Sequence, residues 1–167
     1  MKIKITGREG IEAFAKQPFS PQTALISITD SNSDFAALEH KPDELLQLRF
    51  DDISSQDAQE EFERHMGRKP TEEERHLLSE KFHLLSDAQA RQIAAFVHRV
   101  KDDAQLLICQ CEYGQSRSAA VAAAVLEHLQ RRGIVVFADP RYFPNKLVFK
   151  KVYGALNRLA KEGRNGA

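Results

Sequence analysis

Cysteine is scarce in this chain. Only Cys109 and Cys111 occur in 167 residues. Two cysteines two positions apart in an extended strand point to the same face, so no disulfide framework is expected, and a reducing, cytoplasmic setting fits better. Charge of one sign is also lacking, with 24 Lys+Arg against 24 Asp+Glu. A balanced chain has no global field to attract nucleic acid or an anionic membrane. Long apolar runs are missing. The longest, Ala119–Leu126, falls far short of the roughly 20 residues that span a bilayer. Met1 to Gly10 holds no apolar stretch of signal-peptide length. There is no internal repeat and no interdomain linker. What is present is 42% hydrophobic residues, enough to bury a core, so residues 1–167 read as a single globular domain.

The apolar periodicity suggests alternating strands and helices. Lys2-Ile3-Lys4-Ile5-Thr6 alternates as a half-buried strand does, and Gly7 ends it. A short helix is expected over Gly10–Gln17, then a central strand at Thr23–Ile28, a loop at Asp30–Ser33 and a helical turn over Asp34–Glu39. A third strand is expected over Leu45–Phe50, ending at Asp51-Asp52. From Ser54 to Phe82 the chain is charged and helix-prone, broken at Gly67-Arg68-Lys69-Pro70. Thr71 with Glu74, and Ser86 with Gln89, have capping-box spacing and predict helix starts. Phe62 and Met66, like Leu78 and Phe82, are four apart and read as core-facing stripes. The helix from Ser86 carries Ile93, Ala94, Phe96, Val97 and Val100 on one side, and Leu106-Leu107-Ile108 follows as a buried strand. A helix then runs to about Arg131, with Gly133 suiting its stop. Ile134–Ala138 is a short strand or a helical turn. Pro144-Asn145 opens a last helix with Leu147, Val148, Val152, Leu156 and Leu159 inward, and Lys161–Ala167 reads as a frayed tail.

The chemistry concentrates in Cys111-Glu112-Tyr113-Gly114-Gln115-Ser116-Arg117-Ser118, a tight loop between strand and helix. A helix N-terminus gathers unpaired N–H groups and the positive end of the macrodipole, which makes an anion site. The same field stabilises a thiolate and can lower a cysteine pKa to roughly 3.5–7.5. Arg117 adds a planar fork that matches two oxygens of a phosphate. Backbone N–H groups from Glu112, Tyr113, Gly114, Gln115, Ser116 and Arg117 would hold the others. Glu112 should turn its own carboxylate away from an anion. Tyr113 either lines the pocket wall or packs outside it.

This loop resembles the signature of the protein tyrosine and dual-specificity phosphatase superfamily: Cys, five residues, Arg, then Ser or Thr. Asp139–Phe149, with Pro144-Asn145, is similar to the segment after the signature helix in small bacterial-type members. The resemblance is close over the signature and its flanks, moderate to about Leu156, and only a pattern over the first strands. It implies an α/β fold of three layers, a short, largely parallel central sheet flanked by helices. It also implies phosphate monoester hydrolysis through a cysteinyl-phosphate. Cys111 would be the nucleophile, Arg117 the phosphate cation, Asp52 the general acid with Asp51 as rival, and Ser118 the donor that eases departure of the sulfur. No metal or cofactor is implied. The partner would be a phosphorylated protein, most plausibly on tyrosine, or a small phosphate monoester. Asn145 is either a plain N-cap or a residue near the phosphate loop.

Two departures stand out. The family usually has histidine before the cysteine, where this chain has Gln110, which can donate hydrogen bonds but carries no charge. A catalytically weak or inactive pseudophosphatase that binds phosphorylated ligands is therefore the alternative. The charged stretch at about 54–84 is longer than the family's usual connection, and reads as a solvated helical insertion or as a lid over the site. Other readings fit less well. A rhodanese-type cysteine loop leaves Asp52 without a role. The low-molecular-weight phosphatases and arsenate reductases carry their loop after the first strand, not at residue 111. Cys109 and Cys111 with His98 or His128 would lack a fourth metal ligand.

Overall fold

Short apolar strands separated by helical crossovers can all be buried if they pair in parallel under helices. The computed structural model, which describes residues 1–165, shows this arrangement. Strands β1 (Lys2–Thr6), β2 (Thr23–Thr29), β3 (Glu44–Arg49) and β4 (Leu106–Gln110) form one sheet in the order β1-β4-β2-β3, every pair parallel. The helices are α1 (Arg8–Phe14), α2 (Ser55–Met66), α3 (Glu72–Lys81), α4 (Asp87–Val100), α5 (Arg117–Gln130), α6 (Ile134–Phe137) and α7 (Lys146–Asn165).

All seven residues of β2 are buried, as a central strand requires. Its Ala24, Ile26 and Ile28 pack with Leu107 and Cys109 against α4, α5 and α7. Its Leu25, with Ile108, faces the other way, onto Ile11 of α1 and Ala36. This alternation gives the expected three-layer α/β architecture. Because all four strands point the same way, their C-terminal ends reach one edge. The chain segments leaving Thr6, Thr29, Arg49 and Gln110 therefore meet there, which is where open parallel sheets place their ligands.

Local chemistry explains where the boundaries differ from expectation. Asp34–Glu39 is irregular, not a helical turn. Its backbone groups are taken by side chains from elsewhere: the Asp34 carbonyl accepts from Arg8 Nη2 (2.7 Å) and Thr29 Oγ1 (3.1 Å), and Ala37 N donates to Glu12 Oε1 (2.9 Å). Both capping boxes form as expected, and Ser54 with Asp57 adds a third at the start of α2. Met66 is exposed, contrary to the inward stripe expected of it, and α3 buries no residue. The α2–α3 pair is a solvated structure held by caps and by the Arg68–Glu74 ion pair (2.7 Å). Helix α5 stops at a left-handed Arg131, not at Gly133. Gly133 serves close packing instead, since a Cβ there would lie 2.6 Å from the Ala123 carbonyl oxygen. Ile134–Phe137 is a single helical turn. The expected tail from Lys161 is helical to Asn165; Gly166 and Ala167 lie outside the described residues.

The helices that back the sheet carry a histidine pair. The His98 and His128 rings lie 5.3 Å apart. His98 Nε2 donates to the Leu156 carbonyl (3.3 Å), and His128 Nδ1 meets Asn157 Oδ1 (2.9 Å). Burial is the main reason the His98 pKa lies below the ordinary imidazole value; charges on His128 and Lys101 push the same way, against the Leu156 bond and Asp102. The folded state thus takes up a proton at His98 less readily than the unfolded chain. Stability from a neutral His98 is complete above the unfolded value of about 6.5 and is lost as pH falls below it. Thermal melts from pH 8 to 5 should show a falling midpoint on the acid side. His98→Gln, which can still donate to Leu156, should fall less steeply, and an identical slope would exclude His98 as the cause.

Candidate active site

The loop at the sheet's edge is shaped by a backbone-on-backbone contact. Gly114 has φ +71°, and a Cβ there would sit 2.5 Å from Gly7 N and from Thr6 C. Thus Gly114 is required twice, by its left-handed conformation and by the close approach. Gly7 meets the same loop from the other side, with Arg8 N donating to the Glu112 carbonyl (2.9 Å) and Cys111 N to the Thr6 carbonyl (3.4 Å). Arg8 also secures the loop by its side chain. Its Nε donates to both Glu112 carboxylate oxygens (3.0 and 2.9 Å), and its Nη2 donates to Thr29 Oγ1 (3.0 Å). The Glu112 carboxylate is therefore held by Arg8.

Within this frame Cys111 is 2% exposed, and its Sγ lies 3.0 Å from Ser118 Oγ. From Glu112 to Ser116 the backbone N–H groups donate to no backbone carbonyl among the described residues. Ser116 caps α5 without the usual side-chain bond, because its hydroxyl donates to Asp52 Oδ1 (2.7 Å). The N-terminal amides of α5 thus stay open. Arg117 is 2% exposed. Its Nη1 donates to the Phe50 carbonyl (2.7 Å) and pairs with Asp30 Oδ1 (2.7 Å), while its buried Nε finds no partner among the described residues.

Gln110, which stands where the resembling family has histidine, is fully engaged. Its Oε1 accepts from Ser27 Oγ (2.6 Å), and its Nε2 donates to the Cys111 carbonyl (2.8 Å). The side chain so orients the cysteine's own peptide without a charge. Cys109 is inert by contrast, as burial and then the neighbouring Cys111 push its thiol well above the ordinary range.

The two candidate aspartates separate. Asp51 accepts from Ser31 N (2.7 Å) and Ser31 Oγ (3.0 Å), which ties the loop after β3 to the loop after β2. Asp52 lies over the signature loop, its Oδ1 accepting from Ser116 Oγ and from Asn145 Nδ2 (3.0 Å). Asn145 performs both roles considered for it: its Oδ1 also accepts from Val148 N (3.2 Å) as the cap of α7. The irregular segment 139–145 docks on the loop through Phe143 N and the Gln115 carbonyl (2.9 Å). Tyr113 is 81% exposed. Beside Ser116 a cleft of about 440 Å³ opens, bordered by Asp52, Ser54, Asp57, Asn145 and Lys146.

Sequence reasoning missed Asp30, Ser27 and Arg8. Asp30 was read as an ordinary loop residue. Its place one step beyond the end of a parallel strand was the available signal. Among the described residues no group of three or more His, Cys, Asp or Glu converges as a metal site, and no helix is long and apolar enough to cross a membrane.

A parallel sheet that ends on a cysteine loop at a helix N-terminus defines an α/β protein with a phosphatase-type fold. Among solved structures the chain is similar to PTPMT1 at a TM-score of 0.52 and 11% identity, covering 98% of this chain and 95% of that one. A structure of PTPMT1 in complex with PI(5)P aligns at a TM-score of 0.39 and 13% identity, over 84% and 81% of the two chains. No protein-family model and no curated protein sequence matches this chain.

The Gly114 contact makes a direct prediction. Gly114→Ala should lower stability by about 1–3 kcal/mol from its backbone conformation alone, with the clash against Thr6 and Gly7 adding to it. Urea unfolding measures this. A variant as stable as wild type would mean that the loop does not press on β1.

Proposed function

We propose that the chain is a cysteine-dependent phosphatase acting on phosphate monoesters, of the tyrosine or dual-specificity class. The observation that carries this reading is the buried Arg117 guanidinium with an unpartnered Nε, beside a cysteine and a row of unpaired amides. An unmet donor at such depth is costly unless a ligand completes it. A tetrahedral dianion does so, with two oxygens on the Arg117 fork and the others on the loop amides.

The chemistry runs in two steps. The Cys111 thiolate attacks phosphorus as the P–O bond to the leaving group breaks, giving a cysteinyl-phosphate. Asp52 gives its proton to the departing oxygen. Ser116 and Asn145 both hold Oδ1, which leaves Oδ2 to carry that proton. Water then attacks phosphorus, Asp52 takes its proton, and the P–S bond breaks. Ser118, 3.0 Å from Sγ, donates to the sulfur as it leaves. Positive charge comes from Arg117 and the loop amides. Asp51 is committed to Ser31, which supports Asp52 as the acid. The start of α2 borders the leaving-group cleft, so residues 54–57 act as a wall of the substrate site. The whole chain works as one catalytic domain, and its substrate is a phosphorylated protein or a small phosphate monoester.

The test is hydrolysis of para-nitrophenyl phosphate without added metal, across pH 5 to 8. Cys111→Ser should abolish turnover. Asp52→Asn should lower it by about 10²–10⁴-fold, and Asp51→Asn should act mainly on stability. Wild-type chain that binds orthovanadate but turns over nothing would support the inactive, phosphate-binding alternative. Turnover that survives Cys111→Ser would end the cysteine mechanism.

A further inference from the structure

We infer that the strip from Arg131 to Lys150, on the outside of α5, is a docking surface for an acidic and apolar stretch of a substrate protein, next to its phosphorylated residue. The inference rests on the phosphatase reading above and adds the kind of partner to it. Seven large hydrophobic side chains are exposed among the described residues. Five of them, Tyr113, Ile134, Val135, Phe137 and Phe143, belong to the signature loop or to this strip. Contacts place them in one row. Gly133 packs on the Ala123 carbonyl, and Val136, the buried residue of α6, packs on Ala119 and Ala123. Phe143 N then reaches the Gln115 carbonyl, and Asn145 N the Ser116 carbonyl (3.4 Å). The strip so follows α5 from Ala123 back to its first turn, about 9 Å at the helical rise. It ends at the loop that carries Tyr113.

Charge gathers along the same row. From Arg131 to Lys150 the chain has five basic residues and one acid. The acid, Asp139, is taken by Arg141 (2.6 Å). Glu127, on the adjoining turn of α5, gives its carboxylate to Gly133 N (2.9 Å). Arg131, Arg132, Lys146 and Lys150 join no ion pair among the described residues. Lys146, Phe149 and Lys150 share one face of α7 by their spacing. Phe149 meets Phe137 of α6 there, ring centres 5.1 Å apart, so the two lysines border the apolar row. Lys146 also borders the cleft beside Asp52.

Exposed apolar side chains rimmed by charge mark an interaction site, and aromatic residues with arginine are the side chains that protein interfaces favour. An acidic, apolar segment complements both features, and about three extended residues cover the strip. An anionic bilayer fits less well. Ser54 and Asp57 border the same cleft from the other side, and the solvated stretch from Ser54 to Phe82 carries eight acidic residues against five basic. A membrane laid across the mouth would meet that charge, whereas a peptide lies along one side only.

The experiment measures kcat and KM for phosphotyrosine peptides in which the three residues on one side read Glu-Leu-Glu or Lys-Leu-Lys. Separate peptides carry the run before or after the phosphotyrosine. Turnover of para-nitrophenyl phosphate reports the phosphate site, and thermal midpoints report folding. On one of the two sides the glutamate peptide should exceed its lysine twin about tenfold in kcat/KM, the scale of a few exposed charge pairs acting together. The gain should lie in KM with kcat unchanged, and it should shrink in added salt. Arg132→Glu with Lys150→Glu should close the gap, and Ile134→Ser with Val135→Ser should raise KM for the glutamate peptide about threefold. Both variants should keep wild-type turnover of para-nitrophenyl phosphate. Should the charge-reversed variant not fold, Arg132→Gln with Lys150→Gln takes its place. Glutamate and lysine peptides that are equal on both sides overturn the inference. So does a preference that survives charge reversal, since its source would then lie elsewhere. Sedimentation with phosphatidylcholine–phosphatidylglycerol vesicles that charge reversal abolishes, without any peptide preference, would assign the strip to a lipid surface and overturn it too. Wild-type chain that leaves para-nitrophenyl phosphate and every peptide intact removes the phosphatase reading and this inference together; turnover that ignores the flanking residues removes the inference alone.

Discussion

A guanidinium buried to 2% exposure is the constraint on which the rest of this structure depends. Such a group is expensive to desolvate, and the chain meets the demand only in part. Nη1 donates to the Phe50 carbonyl and pairs with the Asp30 carboxylate, while Nε has no partner among the described residues. Every neighbouring segment is arranged around that partial satisfaction. The ends of β2 and β3 supply the acceptors, α5 supplies the arginine from its first turn, and β1 supports the loop that leads to it through Gly7 and Gly114. None of this would meet at one point if a strand ran the other way, so the parallel topology is a condition of the site and not merely its background.

Several side chains near the site serve two masters, which suits a molecule of modest size. Asn145 caps α7 and holds Asp52. Ser116 occupies the cap of α5 and gives its hydroxyl to the same carboxylate oxygen. Gln110 is the clearest case. A buried amide must satisfy both ends, and here Ser27 satisfies one while the Cys111 carbonyl satisfies the other. An uncharged residue can therefore order the loop in the position where the resembling family keeps histidine. What it does not supply is a positive charge near the sulfur, and that work falls to the helix terminus and Arg117.

Much of the fold was legible because it follows from periodicity and caps. Strands β1, β2 and β4, the boxes at Thr71 and Ser86, and the helix after the cysteine loop were read to within a residue or two. The cysteine loop itself was legible because its residues are contiguous. What escaped was whatever depends on pairing across the sheet. Asp30 looks like a loop residue until β2 and β3 are placed side by side, and Arg8 looks like a helix-start cation until Glu112 arrives opposite it. Met66 was misread for a related reason: a hydrophobic pair spaced four apart predicts an inward face only if something packs against it, and α2 with α3 stands largely in solvent. Gly133 suits a helix stop by residue type, yet its reason is the Ala123 carbonyl across the packing interface.

At 11% identity to PTPMT1, the shared fold cannot rest on particular core residues. Volume and patterning suffice to fill a core, and interchange among apolar residues is tolerated. The positions that cannot drift are those fixed by geometry. Gly114 admits no side chain. A residue between the cysteine and the arginine cannot be added without moving one of them from the helix terminus. The carbonyl and the carboxylate at Nη1 come from the segments that leave β3 and β2. A fold can thus persist while sequence comparison finds no match over the chain as a whole. The loop's few obligatory residues are too small a share of 167 to register in a comparison of whole sequences, yet they set the geometry around which the remaining residues pack.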